Sequence, residues 1–234
     1  MYEKYDLDCL LMLVTRGMRR TMFKVTGILL AGGQSSRMGT DKALLNVNGE
    51  TVIERIVRLM SPAASNIIIS ANDDEKYAFL GKEVVHDRYP GQGPLSGLHA
   101  GLHAAATPWS IITACDMPFV TEEVFRFLAR KADEAAAVMD DKSGLQAIVP
   151  VSGGRIQPLL AAYHRSVLPS LETCLSSGRL RLTGWLEQLK VCYVSEEELI
   201  QELGPGADKA FYNMNEPLDY KRAMTGLFLR EDLC

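Results

Sequence analysis

The chain has 234 residues, between one and two domains' worth at roughly 150 residues per domain. Its 47% hydrophobic, 23% charged and 7% aromatic residues exclude disordered, collagen-like and disulfide-stapled classes. Lys and Arg total 25 against 29 Asp and Glu, a net charge of −4 that argues against a nucleic-acid backbone as the main partner, so an anionic ligand must be held locally. The five cysteines, Cys9, Cys115, Cys174, Cys192 and Cys234, contain no Cys-x-x-Cys pair, which argues against a disulfide framework or a structural zinc site.

Residues 1–21 differ from the rest of the chain. Their longest apolar run, Cys9 to Val14, is six residues, far short of the ~20 that cross a bilayer. Acidic residues (Glu3, Asp6, Asp8) precede it and basic ones (Arg16, Arg19, Arg20) come after it, the reverse of a secretory signal. The expectation is a cytoplasmic protein with no membrane span and a dispensable N-terminal extension. Met18 and Met22 are both potential start sites, and the apolar run could pack as a short helix.

From Met22 onward, short β-rich apolar runs alternate with helical patterns. The predicted strands are VTGILLA (25–31), NIIIS (66–70), a short one at Glu83–Val85, WSIITAC (109–115), AIVPV (147–151) and VCYV (191–194). Runs this apolar fit strands covered on both faces. Val52, Ile53, Ile56, Val57 and Met60 predict a helix over Glu50–Met60, and Ser96–Ala106 reads as a helix rich in small residues. Thr121 is a plausible cap for a third, with Glu122 and Glu123 in its first turn and Phe125, Leu128, Ala129 and Ala132 on one face. The βαβαβα rhythm predicts an α/β fold, a three-layer αβα sandwich of Rossmann-like type around a mostly parallel sheet. Residues 22–234 are expected to form one domain, with a nucleotide half over about 22–120 and an acceptor half over about 121–220.

In open parallel sheets the ligand sits beyond the carboxyl ends of the strands. The first segment there runs Ala31-Gly32-Gly33-Gln34-Ser35-Ser36-Arg37-Met38-Gly39-Thr40-Asp41-Lys42. Glycines let backbone N–H groups approach an oxyanion and the cations neutralise it, so the segment reads as a phosphate cradle. It is not a P-loop, because Gly39 is followed by Thr40-Asp41, and no Gly-x-Gly-x-x-Gly is present. The plainer alternative is a glycine turn with solvated Arg37 and Lys42.

This dodecapeptide resembles the signature Leu-Ala-Gly-Gly-x-Ser-x-Arg-Met-Gly-x-Asp-Lys of the molybdenum cofactor guanylyltransferases, within the larger nucleotidyltransferase group. The resemblance continues in order through HDRYPGQGPLSGL (86–98), TACDMPFV (113–120), RIQPLLAAYHRSVLPSLE (155–172) and FYNMNEPLDY (211–220), covering about Val25 to Tyr220. It implies transfer of GMP from GTP to the terminal phosphate of molybdopterin, with Mg²⁺ required and pyrophosphate released. Attack at the α-phosphate builds charge there and on the leaving group, so preorganised donors and a metal are the largest levers. Arg37, Lys42 and Asp116 are the implied catalytic residues. GTP contacts are expected from Leu30, Ala31, Gly32, Gly33, Lys42, Ser70, Asp87, Pro94, Leu95, Gly97 and Asp116, and Mg²⁺ contacts from Asp116 and Asn215. Arg155, Gln157 and Asn213 are expected to face the acceptor. Proteins of molybdenum-cofactor biosynthesis and acceptor molybdoenzymes are the partners the resemblance implies.

Several of these positions have plainer explanations. Asp116 and Asp87 both follow strands, where Asp commonly serves turns. Ser70 stands where some relatives carry Asn, which leaves a base or ribose contact open. Asn213 and Asn215 precede Glu216-Pro217 and could cap a final helix. His99 and His103 stand four apart, but without a third ligand they are expected to be partly exposed helix residues. Cys115 in an apolar strand is expected to be buried packing without chemistry. Arg179 and Arg181, with Trp185 nearby, could meet a planar phosphorylated acceptor or simply be solvated. Two rival functions also fit the same cradle: a cytidylyl or sugar-phosphate transferase, and a non-catalytic nucleotide or pterin carrier.

Overall fold

The computed structural model describes residues 23–32, 41–47, 49–138 and 144–214. The N-terminal extension, Gly33, Arg37 and Asn215 therefore lie outside the described residues. The chain begins with β1 (Val25–Leu30), buried along its whole length, and after the glycine-rich segment makes a one-turn 3₁₀ helix (Lys42–Leu44) and a small hairpin of β2 (Asn46–Val47) and β3 (Glu50–Thr51). Then come α1 (Val52–Met60), β4 (Asn66–Ser70), α2 (Asp74–Tyr77), β5 (Glu83–Val85), α3 (Pro94–Ala104), β6 (Trp109–Ala114) and α4 (Glu122–Val138). The second half adds β7 (Ala147–Ser152), β8 (Arg155–Ile156), β9 (Leu160–His164), α5 (Leu168–Ser176), α6 (Leu182–Leu186), β10 (Val191–Val194), α7 (Glu196–Leu203) and a closing 3₁₀ turn, Ala207–Phe211.

The central sheet runs β10-β7-β9-β6-β1-β4-β5. β1 pairs in parallel with both β4 and β6, β4 with β5, and β10 with β7, whereas β9 is antiparallel to its two neighbours β6 and β7. The αβα sandwich is thus observed with β9 reversed inside it and the short β8, antiparallel to β7, reversed as well. β1 shows why the strand runs are apolar throughout. Val25 and Leu29 join a core with α1 and α4 on one face, while Ile28 and Leu30 join a second core with α3, α5 and α6 on the other. Thr51 starts α1 with a capping box, its hydroxyl accepting from the Glu54 amide while the Glu54 carboxylate accepts from the Thr51 amide. The small residues of α3 let it lie close to the sheet: a Cβ on Gly101 would stand 2.3 Å from Ile28 Cγ2.

The sequence periodicity alone does not announce β9. Its Leu-Ala-Ala-Tyr-His run follows β8 as the return of a hairpin on β7, closed by Gly153-Gly154. Val151 faces Ile156 while Ile148 faces Ala162, so three steps along β7 are matched by six on the returning strand, three extra. The surplus forms a bulge at Gln157–Leu159, where the Gln157 amide still donates to the Pro150 carbonyl at 2.8 Å. Bulges re-aim side chains beside active sites, and this one delivers Leu159 to the ligand edge.

Candidate active site

Three backbone contacts continue the strand pairing beyond the strand ends. Ala31 N–H donates to Ser70 O (2.9 Å), Cys115 N–H to Leu30 O (3.2 Å) and Ala114 N–H to Leu159 O (3.1 Å). The loops after β1, β4 and β6 are thereby held side by side around a cavity of about 270 Å³. Among the expected nucleotide contacts, Leu30, Ala31, Gly32, Lys42, Ser70, Asp87, Pro94, Gly97 and Asp116 line it. Gly93 and Cys115 line it too, as do Asp41, Ala114 and Leu159, to which sequence reasoning gave no individual role. A second cavity of about 350 Å³, between Phe119–Val124 and Leu203–Ala210, shares no lining residue with the first.

Lys42 is the first residue of the one-turn helix, whose N-cap is Asp41, with Asp41 Oδ1 accepting from the Ala43 amide at 3.0 Å. Its ammonium donates to the Met214 carbonyl oxygen at 2.7 Å, and the Met214 amide donates to the Asp116 carbonyl, also at 2.7 Å. The segment carrying Asn213 is thus tied by one residue to both Lys42 and Asp116. Met214 is fully buried, which fixes the strap despite its lack of regular structure. Arg55 of α1 secures the loop beyond Asp116, its Nε donating to the Pro118 carbonyl at 3.1 Å.

The Asp116 carboxyl is half-buried at the cavity floor, and its Oδ1 has no hydrogen-bond partner among the described residues. Burial pushes its pKa above the usual carboxylate range, and the nearby Lys42 charge opposes that rise. The other two carboxylates at the cavity are engaged. Asp41 caps its helix and meets Tyr77 and Lys76, and Asp87 Oδ2 accepts from Asn72 Nδ2 at 3.2 Å, while the Asp87 amide donates back to Asn72 Oδ1 at 3.0 Å. No group of three or more His, Cys, Asp or Glu converges among the described residues. One carboxylate with an unpartnered oxygen suits a hard cation that completes its shell with phosphates and water, and does not suit an all-protein metal cage.

The N-terminus of α3 opens onto the same cavity through Gly93, Pro94 and Gly97, and no side chain caps it. Backbone amides at such an end are donors aimed at an anionic or electron-rich ligand. The Leu95 side chain, in contrast, is buried in the core, so that residue faces the cavity at most through its main chain. Ser70 is 1% exposed with an unpartnered hydroxyl, and a Cβ on Gly97 would come within 2.9 Å of its Oγ.

Other expected positions lie elsewhere. Arg155 and Asn213 are exposed, Gln157 sits on the β8–β9 bulge, and none of the three lines the cavity. His99 corrects the expectation of partial exposure. It is 1% exposed on α3, between the ring of Tyr89 and Glu172 of α5, whose Oε1 lies 3.2 Å from its Nε2. Trp185 is also unavailable to an acceptor, because it is buried against Tyr163 with its Nε1 donating to Ser170 Oγ at 3.1 Å. Cys115 lies one residue past β6 and forms cavity wall, with burial and then the Asp116 and Asp41 charges pushing its thiol up to about 12. It stays protonated and is no nucleophile at neutral pH.

Gly32, Lys42, Asp116 with its unpartnered Oδ1 and the uncapped end of α3 thus line one cavity at the carboxyl edge of the sheet. The family model described as the MobA-like NTP transferase domain matches residues 27–191. The chain belongs to this family. It is 36% identical over 202 residues to a probable molybdenum cofactor guanylyltransferase of Pelotomaculum thermopropionicum, covering 86% of this chain and 93% of that one. A probable molybdenum cofactor guanylyltransferase of Carboxydothermus hydrogenoformans is likewise 36% identical over 210 residues, 90% of this chain and all of its own length. Among solved structures, the molybdopterin-guanine dinucleotide biosynthesis protein A of Archaeoglobus fulgidus is similar with a TM-score of 0.71 and 29% identity, covering 86% of this chain and 97% of that one. The described part of this MobA-like transferase has no helix long and apolar enough to cross a membrane.

Proposed function

We propose that this MobA-like transferase moves GMP from GTP to the terminal phosphate of molybdopterin, working in the cytoplasm. The observation that carries the proposal is that Lys42 and Gly32 line one cavity with Asp116, a carboxylate whose Oδ1 has no partner among the described residues, in a chain 36% identical to named guanylyltransferases. An oxygen of the acceptor phosphate forms a bond to the α-phosphorus of GTP as the bond to the β-phosphate oxygen breaks, and pyrophosphate leaves. Lys42 and Arg37 meet the negative charge on the phosphates, and the backbone at Ala31, Gly32 and Gly33 cradles them. Asp116 and Asn215 would hold Mg²⁺, which supplies Lewis-acid charge neutralisation at the phosphates. Ser70, Asp87 and the first turn of α3 surround the nucleoside. Arg155, Gln157 and Asn213 receive the acceptor, whose product would pass to molybdoenzymes. In this reading residues 22–120 serve the nucleotide, 121–220 the acceptor, and residues 1–21 are dispensable.

A ligand that binds only the native state stabilises it by mass action. GTP with Mg²⁺ is therefore expected to raise the melting temperature more than ATP, CTP or UTP does. Equal shifts with all four would overturn the guanine assignment, and a shift with GTP but no pyrophosphate release in the presence of molybdopterin would favour a carrier.

A further inference from the structure

Tyr77, at the end of α2, is 1% exposed, yet its hydroxyl reaches two residues that line the catalytic cavity. It stands 2.9 Å from Asp41 Oδ2 and 3.2 Å from the Ala31 carbonyl oxygen. Ala31 opens the glycine-rich segment and Asp41 closes it, so one buried hydroxyl sits between the two ends of the phosphate cradle. A phenol has a single proton to donate, and the carboxylate is both nearer and the stronger acceptor. Lys76, the preceding residue, forms an ion pair with the same Asp41 oxygen.

What this contact holds is specific. Asp41 Oδ1 caps the helix Lys42–Leu44, and a helix of three residues has no stability of its own. The direction in which Lys42 leaves the backbone therefore depends on the rotamer of Asp41. That rotamer is set from the core by Tyr77 and from the surface by Lys76. We propose that Tyr77 is a positioning residue for the transfer reaction: through Asp41 it fixes the backbone from which Lys42 reaches the triphosphate. The inference rests on the assignment of Lys42 to the triphosphate made above. Burial, together with the Asp41 charge, pushes the Tyr77 hydroxyl well above the usual tyrosine range, so it remains a donor at every pH at which the enzyme works.

A tyrosine that only fills the core and one that positions Lys42 are separated by a double-mutant cycle on the full chain, with GTP and molybdopterin as substrates. Tyr77→Phe keeps the ring and removes the hydroxyl, and it is expected to lower kcat/KM for GTP about three- to tenfold, the scale of one hydrogen bond. KM for the acceptor should stay within about twofold, since the acceptor meets other groups. In a Lys42→Ala background the same substitution is expected to cost nothing more, because residues that act as a unit are not additive. Should Tyr77→Phe fail to fold by circular dichroism, Asp41→Asn runs the same cycle, its amide oxygen still able to cap Ala43. Losses that add, a matching rise in acceptor KM, or an unchanged rate in the single variant would overturn the positioning role. If Lys42→Ala alone turned over at the wild-type rate, the assignment of Lys42 would fall first, and the inference with it.

Discussion

Asp116→Asn separates what the carboxylate does for the reaction from what it costs the fold. In the wild-type protein a half-buried carboxyl carries an oxygen with no partner among the described residues, and burial raises its pKa while Lys42 draws it down. Leaving a polar oxygen unpartnered costs about 1–3 kcal/mol, and more when it is charged. The attraction of one partly exposed cation returns up to about 1 kcal/mol. The neutral, isosteric amide leaves that position unpartnered but sheds the buried charge, and should therefore make the ligand-free protein about 1 kcal/mol more stable at pH 7, or about 2–4 °C in melting temperature for a chain of this size. The sign of the pH dependence is set by the direction of the shift. Because the folded pKa lies above the unfolded one, the native state binds the proton more tightly, and wild-type stability falls as pH rises between the two values. The gain from Asp116→Asn should accordingly be full above the raised folded pKa and vanish below the ordinary carboxyl value. Differential scanning calorimetry across a pH series, without nucleotide or divalent cation, measures this. Guanylyl transfer by the same variant should fall at least about 10²-fold, as expected when charge at a preorganised site is lost, and should recover in part at high Mg²⁺. A variant that is less stable than wild type at pH 7, or that turns over at the wild-type rate, would refute the reasoning.

In the proposed role of Lys42 as a donor to the phosphates, Lys42→Ala should lower turnover by about 10²–10³, with no recovery across the same Mg²⁺ series. Gly101→Ala places a methyl 2.3 Å from Ile28 Cγ2 and forces α3 off the sheet. Overpacking of that kind costs about 1–3 kcal/mol, a fall in melting temperature of roughly 2–12 °C by thermal denaturation. Iodoacetamide at pH 8 with peptide mapping should modify exposed Cys192 and spare Cys115, whose thiol is pushed up to about 12; modification of Cys115 ahead of Cys192 would show a thiolate the cavity does not favour.

Apolar patterning alone dictates the sandwich, because strands covered on both faces must be apolar throughout and helices packed on them must carry one apolar stripe. β1, β4, β6 and α1 were legible for that reason. The site loops were marked by the glycines after β1 and by Asp116 after β6, but each of these also has an ordinary turn use, and only their convergence on one cavity with Lys42 separates the two. Nothing set by register or by distance in space could be read that way. β9 reverses inside the sheet because a hairpin on β7 returns there with three extra residues, and a short Leu-Ala-Ala-Tyr-His run looks the same in either direction. His99 and Trp185 look like surface or ligand-facing groups until packing against α5 and Tyr163 buries them. Tyr77 gives no sequence signal at all, being 36 residues from Asp41 and 46 from Ala31. Only the fold brings one hydroxyl to both Ala31 and Asp41, because hydrogen bonds act over about 3 Å of space and are indifferent to separation along the chain.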